Sequence, residues 1–235
     1  MNRNIMKFVA IFILYFANVS CMQESEYQEA LKKQAPAIRK LIMDILQLVD
    51  QSAYSAIAKN DPTGIKHIRF DNTEFFSTDL NPIDGLPVFI MDPYFFTILP
   101  LKQKMFAIAH ELAHYMMDDF EELYKKSYQT EKDFNLLTNA LRRVQENEAD
   151  RLAILHFRIN IDDAIGFMKS ILAMDKEDEI KHPEKKTFTR THPLSIARIQ
   201  HLESLRREVE IQRTPPKPIN WTGLAQKYLA KYFGR

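Results

Sequence analysis

The pentapeptide His110-Glu111-Leu112-Ala113-His114 constrains this chain more than any other stretch. Histidines at i and i+4 meet only on a helix, where they lie one turn apart on one face. Their imidazoles then converge and can hold one Zn²⁺, with Glu111 beside an open coordination position where a water would sit. The surrounding residues agree. From Pro100 to Asp118, Met105, Ile108, Leu112 and Tyr115 form an apolar stripe, and His110 and His114 add a second, polar line. Lys102 and Lys104 are expected to face solvent near the start of that helix. The pattern is that of a metal-activated hydrolase.

Composition narrows the rest. The chain has 235 residues, 46% hydrophobic and 27% charged, which suits one globular domain with short appendages. It has only 5 glycines, and neither G-x-x-x-x-G-K-[ST] nor G-x-G-x-x-G occurs, which argues against a phosphate-binding loop. A formal net charge of +1, with basic and acidic residues interspersed, argues against nucleic acid as a partner. Cys21 is the only cysteine. No internal disulfide can form, and metal ligands must be His, Asp or Glu rather than thiolates, the kind of set typical of catalytic zinc.

The N-terminus reads as a separate object. Arg3 and Lys7 precede an apolar run from Phe8 to Ala17, and Asn18-Val19-Ser20-Cys21 follows. This is the plan of a secretory signal peptide over residues 1–21. The run is short for a membrane span, so an uncleaved anchor and a buried helix are the lesser readings. Cys21 after Val19-Ser20 resembles the end of a bacterial lipoprotein signal, although Asn18 stands where such signals favour Leu. Cys21 is therefore either a lipidated first residue or a residue flanking the cleavage site. The expected location is exported, either periplasmic or anchored to a membrane and facing the extracytoplasmic side.

The remainder divides into a domain over 24–212 and a tail over 213–235. Glu24 to about Lys59 is helical in pattern, with Ile38, Leu41, Ile42, Ile45, Leu46 and Val49 on one stripe and Pro36 at a break or first turn. Short apolar and aromatic runs at Ile65–Phe70 and Val88–Met91, bounded by turn signals, predict two or three strands in a small sheet. Asp118 to Asp133 lacks periodicity and reads as a loop or a helical hairpin over the site. Further helices are expected over Phe134–Ile159, Ile161–Met174 and Pro193–Glu210, with a charged loop from Lys176 to Thr191. Thr214 to Pro218 is a stiff linker before a short amphipathic helix from Trp221 to Phe233. The fold class is α+β, mainly α.

A catalytic zinc needs a third protein ligand beside its open position. Glu146-Asn147-Glu148-Ala149-Asp150 offers a candidate. Glu146 and Asp150 share a helix face, so Glu146 can bind the metal while Asp150, one turn on, orients a ligating imidazole. Glu148 points elsewhere. An acidic cluster by itself is more often a solvated face. Here Leu152, Ala153 and Leu155 make the helix partly buried, and buried carboxylates need a partner such as a metal with two histidines.

These residues, with Thr191-His192-Pro193 and Leu194-Ser195-Ile196-Ala197-Arg198-Ile199 after them, resemble the HtpX/BepA/CAAX-prenyl-protease family of zinc metallopeptidases over roughly Val88 to Leu205. The resemblance implies a zincin-like domain with a small sheet packed on the active-site helix. It implies one Zn²⁺ per chain on His110, His114 and Glu146, with Glu111 as general base and Asp150 supporting a ligand. In BepA-like members the T-H-P histidine can reach the zinc, so His192 is either an autoinhibitory latch or a helix-start residue with no metal contact. Arg198 either faces the cleft and stabilises an oxyanion or forms a surface salt bridge. Multi-span relatives carry several transmembrane helices, and this chain shows no such run beyond its N-terminus, so it should resemble the compact soluble or lipid-anchored members.

The expected function is a metalloendopeptidase acting on unfolded or extended polypeptides in envelope protein quality control. Leu86 to Ile90 is expected to be the sheet edge that aligns substrate. The alternatives are a catalytically weak adaptor or chaperone-like binder on the same fold, and a helical domain in which the pentapeptide is accidental.

Overall fold

A computed structural model of the chain describes residues 24–71, 76–117, 144–181, 195–211, 217 and 219–234. The expected signal peptide with Cys21, the 118–133 segment and His192 lie outside the described residues.

Two helices open the described fold, α1 (Glu24–Val49) and α2 (Gln51–Ala58). The stripe of Ile38, Ile42, Ile45 and Leu46 is buried, as its helical spacing requires. The single helical stretch expected to run to Lys59 is interrupted at Asp50. That residue is extended (φ −149, ψ 101), and its carboxylate accepts from the N–H groups of Ser52 and Ala53. Satisfying the orphan donors of a new first turn is what starts α2. Pro36, expected at a break or first turn, instead lies inside α1. The apolar stripe continues across it, through Ala35 and Ile38, and its burial holds the helix together there.

Among the described residues the sheet has three strands, β1 (Ile68–Phe70), β2 (Phe76–Leu80) and β3 (Pro87–Met91), in the order β1-β3-β2. β3 runs parallel to β1, with Ile68 opposite Phe89, and antiparallel to β2, with Thr78 opposite Phe89. All five residues of β3 are buried, which explains its unbroken apolar run. This corrects the expectation that Leu86 to Ile90 forms the sheet edge. β3 is paired on both sides, and among the described strands the edge beside the helix of His110 and His114 is β2.

The rest is helical: α3 (Pro93–Ile98), α4 (Leu101–Met117), α5 over residues 144–155, α6 (Ile161–Lys181), α7 (Ser195–Ile211) and α8 (Trp221–Phe233). α5 stops short of the expected Ile159 because Arg158 takes a left-handed conformation, φ 59. α6 runs past the expected Met174 to Lys181. The charged run after Met174 reads as a loop by polarity, yet Lys and Glu are good helix formers. Lys104, expected in solvent, is buried on α4, where its ammonium donates to the Thr97 carbonyl (2.9 Å), and burial pushes its pKa down.

α8 is no appendage. Trp221, Ala225 and Tyr228 are buried in the common core, with the Trp221 and Tyr228 rings 5.7 and 4.7 Å from that of Tyr115 on α4. The Tyr228 hydroxyl donates to the Tyr115 carbonyl in the last turn of α4. Gly85 (φ 70) lets the β2–β3 turn come this close, since a Cβ there would sit 2.4 Å from the Ala225 carbonyl oxygen.

Candidate active site

α4 is buried almost throughout and carries His110, Glu111 and His114; α5 carries Glu146 and Asp150; α7 brings Arg198. The two imidazoles of α4 converge as their spacing requires, Nε2 to Nε2 at 3.0 Å. Glu146 closes the triangle. Its Oε2 lies 3.3 Å from His110 Nε2, and its Oε1 lies 3.3 Å from His114 Nε2. These three residues form the one group among the described residues that could hold a metal ion.

The donor set fits zinc. Tetrahedral ligands at about 2.0–2.1 Å from Zn²⁺ stand roughly 3.3 Å from one another, and the three separations here are 3.0, 3.3 and 3.3 Å. The side chain of His110 is 5% exposed and that of His114 23%, so solvent reaches the cluster from the His114 side.

Behind the ligands lies a buried charge network. Asp150 Oδ1 is 3.0 Å from His110 Nδ1. A proton on Nδ1 donated to Asp150 leaves the Nε2 lone pair facing His114 and Glu146. Arg198 donates from Nε to Asp150 Oδ2 (2.8 Å), from Nη2 to Asp150 Oδ1, and lies with Nη1 2.7 Å from Glu146 Oε2. Burial and the Arg198 charge push His110 down, but hydrogen bonds with Asp150 and Glu146 outweigh them and raise its pKa to about 9. Burial pushes the Asp150 carboxyl up, while the charge and hydrogen bonds of Arg198 and His110 hold it below its usual range.

The surface-salt-bridge expectation for Arg198 is corrected. It is 5% exposed, and its fork is engaged by Asp150 and Glu146. Two buried carboxylates on one helix face need a cation against them, and the planar guanidinium serves both. Glu148, as expected, points away, toward Arg151 at 3.1 Å.

Glu111 is 4% exposed and turns toward the sheet. The Thr78 hydroxyl on β2 lies 3.3 Å from its Oε2. Sequence reasoning missed Thr78. The alternation of Phe76, Thr78 and Leu80 with Ser77 and Asp79 marks a strand, but nothing in it names the helix that the strand meets.

The model of peptidase family M48 matches residues 129–206. That match supports an assignment to peptidase family M48. It covers about a third of the chain, including Glu146, Asp150 and Arg198, while His110, Glu111 and His114 lie upstream of it and reach those residues through the fold. M48 peptidases are metal-dependent, so the match supports a metalloprotease function, and the described residues are mainly helical with a small sheet. No curated protein and no solved structure matches the chain.

Proposed function

We propose that this M48 protein is a zinc endopeptidase that cuts unfolded or extended polypeptides in envelope protein quality control. The observation that carries the reading is the meeting of His110, His114 and Glu146 from two helices at ligand spacing, with Glu111 next to them in sequence. His110, His114 and Glu146 would hold one Zn²⁺. When bound, zinc would lower the pKa of a coordinated water toward about 7 and polarise a peptide carbonyl.

The protein's own groups supply the rest. Glu111 takes a proton from the attacking water and delivers it to the departing amine. Asp150 keeps the Nδ1 proton of His110 in place, so that Nε2 stays free to coordinate. Arg198 neutralises the carboxylates packed against it and keeps Glu146 aimed at the imidazoles. Substrate would add to the outer edge of β2 as an extended strand, a mode that reads backbone more than side chains and so favours unfolded segments. The basic and apolar residues before Cys21 support an exported, extracytoplasmic protein, with anchoring through the N-terminus or a lipidated Cys21.

The test compares wild type with Glu111→Gln on an unfolded protein substrate. The variant should keep its zinc and lose cleavage by about 10²-fold or more. Equal cleavage by both, with contaminating proteases excluded, would overturn the reading.

A further inference from the structure

The group that aims Glu111 comes from outside the metal helix and its partner helices. Glu111 has three rotatable side-chain bonds, and a base that must meet one water needs them held. Thr78 sits at the middle of β2, flanked by Ser77 and Asp79, whose side chains lie on the opposite face of the strand. Its hydroxyl is 3.3 Å from Glu111 Oε2 and 3.4 Å from the Glu111 carbonyl oxygen. A hydroxyl has one proton to give. The carbonyl belongs to mid-helix backbone and already accepts an i+4 N–H, whereas the carboxylate is charged and forms the stronger bond. β2 is itself fixed by its pairing to β3, Thr78 opposite Phe89, so the donor stands on a rigid element.

We propose that Thr78 is a positioning residue for the general base: its hydroxyl fixes the orientation of the Glu111 carboxylate. This rests on the peptidase reading above and deepens it. It also joins two functions on one strand. The outer edge of β2 is where an extended substrate would pair, and the inner face of the same strand carries the donor that orients the base. Seating a substrate on β2 therefore bears directly on the placement of Glu111.

Thr78→Val removes the hydroxyl but keeps the branched shape and the strand preference, and Thr78→Ser returns the hydroxyl. Three readouts are taken on each: kcat and KM on an unfolded protein, bound zinc, and the ¹³C shift of the Glu111 side-chain carboxyl in metal-free protein, assigned by its loss in Glu111→Gln. Thr78→Val is expected to lower kcat about ten-fold, to leave KM and zinc content near wild type, and to move the Glu111 carboxyl signal. Thr78→Ser should restore kcat and the signal. Should Thr78→Val lose its cooperative thermal transition, Thr78→Ala carries the same comparison. Unchanged kcat and an unmoved carboxyl signal in the valine variant would overturn the proposal, as would failure of serine to restore either. If wild type itself cleaves nothing, the peptidase reading fails instead, and the carboxyl signal alone decides whether Thr78 orients Glu111.

Discussion

At the scale of residues, the site works by stacking one constraint behind another. His110 faces His114 and Glu146 through Nε2 because Asp150 takes Nδ1, and Asp150 remains a buried anion because Arg198 grips both its oxygens. Removing the acceptor should loosen the metal more than the fold. Asp150→Asn keeps the shape but puts an amide N–H₂ where Arg198 and His110 both donate, and we expect zinc affinity to fall about 10- to 100-fold, measured by competition against a chelator. An affinity equal to wild type would show that Asp150 does not orient His110. The candidate site was legible in the sequence because α4 presents His110 and His114, and α5 presents Glu146 and Asp150, each pair at i and i+4, a purely local relation. Arg198 was not. Its identity is visible in the chain, but whether an arginine meets water, substrate or two buried carboxylates depends on which helices pack together.

At the scale of elements, the fold departs from the sequence reading where a local signal competes with a tertiary one. Pro36 is a local signal for a break, and the apolar stripe overrides it; Asp50 is a weaker signal, and its capping bonds give it effect. β3 is visible as an apolar run, which reports its burial, but pairing on one side or on both leaves no separate mark in five residues. α8 shows the same difficulty. A Pro-rich segment followed by a short amphipathic helix reads as an appendage, and only the long-range contacts of Trp221 and Tyr228 with Tyr115 place it in the core. Trp221→Ala should therefore destabilise the whole protein by about 3–5 kcal/mol in denaturant unfolding. Phe233→Ala, at a residue 37% exposed in the same helix, should change little. Equal small effects would mean that α8 does not belong to the folding unit.

At the scale of the whole molecule, a second buried polar centre ties the segment before the sheet to the β2–β3 turn. Asp61 accepts from the backbone N–H groups of Ile65, Lys66 and His67 and from His67 Nδ1 (3.0 Å), while His67 Nε2 meets Asp84 at 3.1 Å. Burial pushes Asp61 up, but these hydrogen bonds outweigh it and hold the carboxyl below its ordinary range. A depressed carboxyl contributes stability above its unfolded pKa, about 3.9, and loses it as pH falls toward the lower folded value. Asp61→Asn should thus be less stable than wild type near neutral pH, by about 1–3 kcal/mol, with the gap closing below about pH 4. A gap independent of pH in thermal unfolding would contradict this. None of the cluster was visible beforehand, because its members are scattered from 61 to 84 with no periodic relation and meet only once the sheet has formed.

Two helices, α4 and α5, converge on one candidate metal site with nitrogen and oxygen donors. X-ray absorption at the zinc edge of the purified, zinc-loaded protein tests it most directly. The expected spectrum has a first shell of nitrogen and oxygen at about 2.0–2.2 Å, with outer scattering from two imidazoles that falls to that of one in His114→Ala. A sulfur shell near 2.3 Å, a shell without imidazole, or a spectrum unchanged in His114→Ala would contradict it.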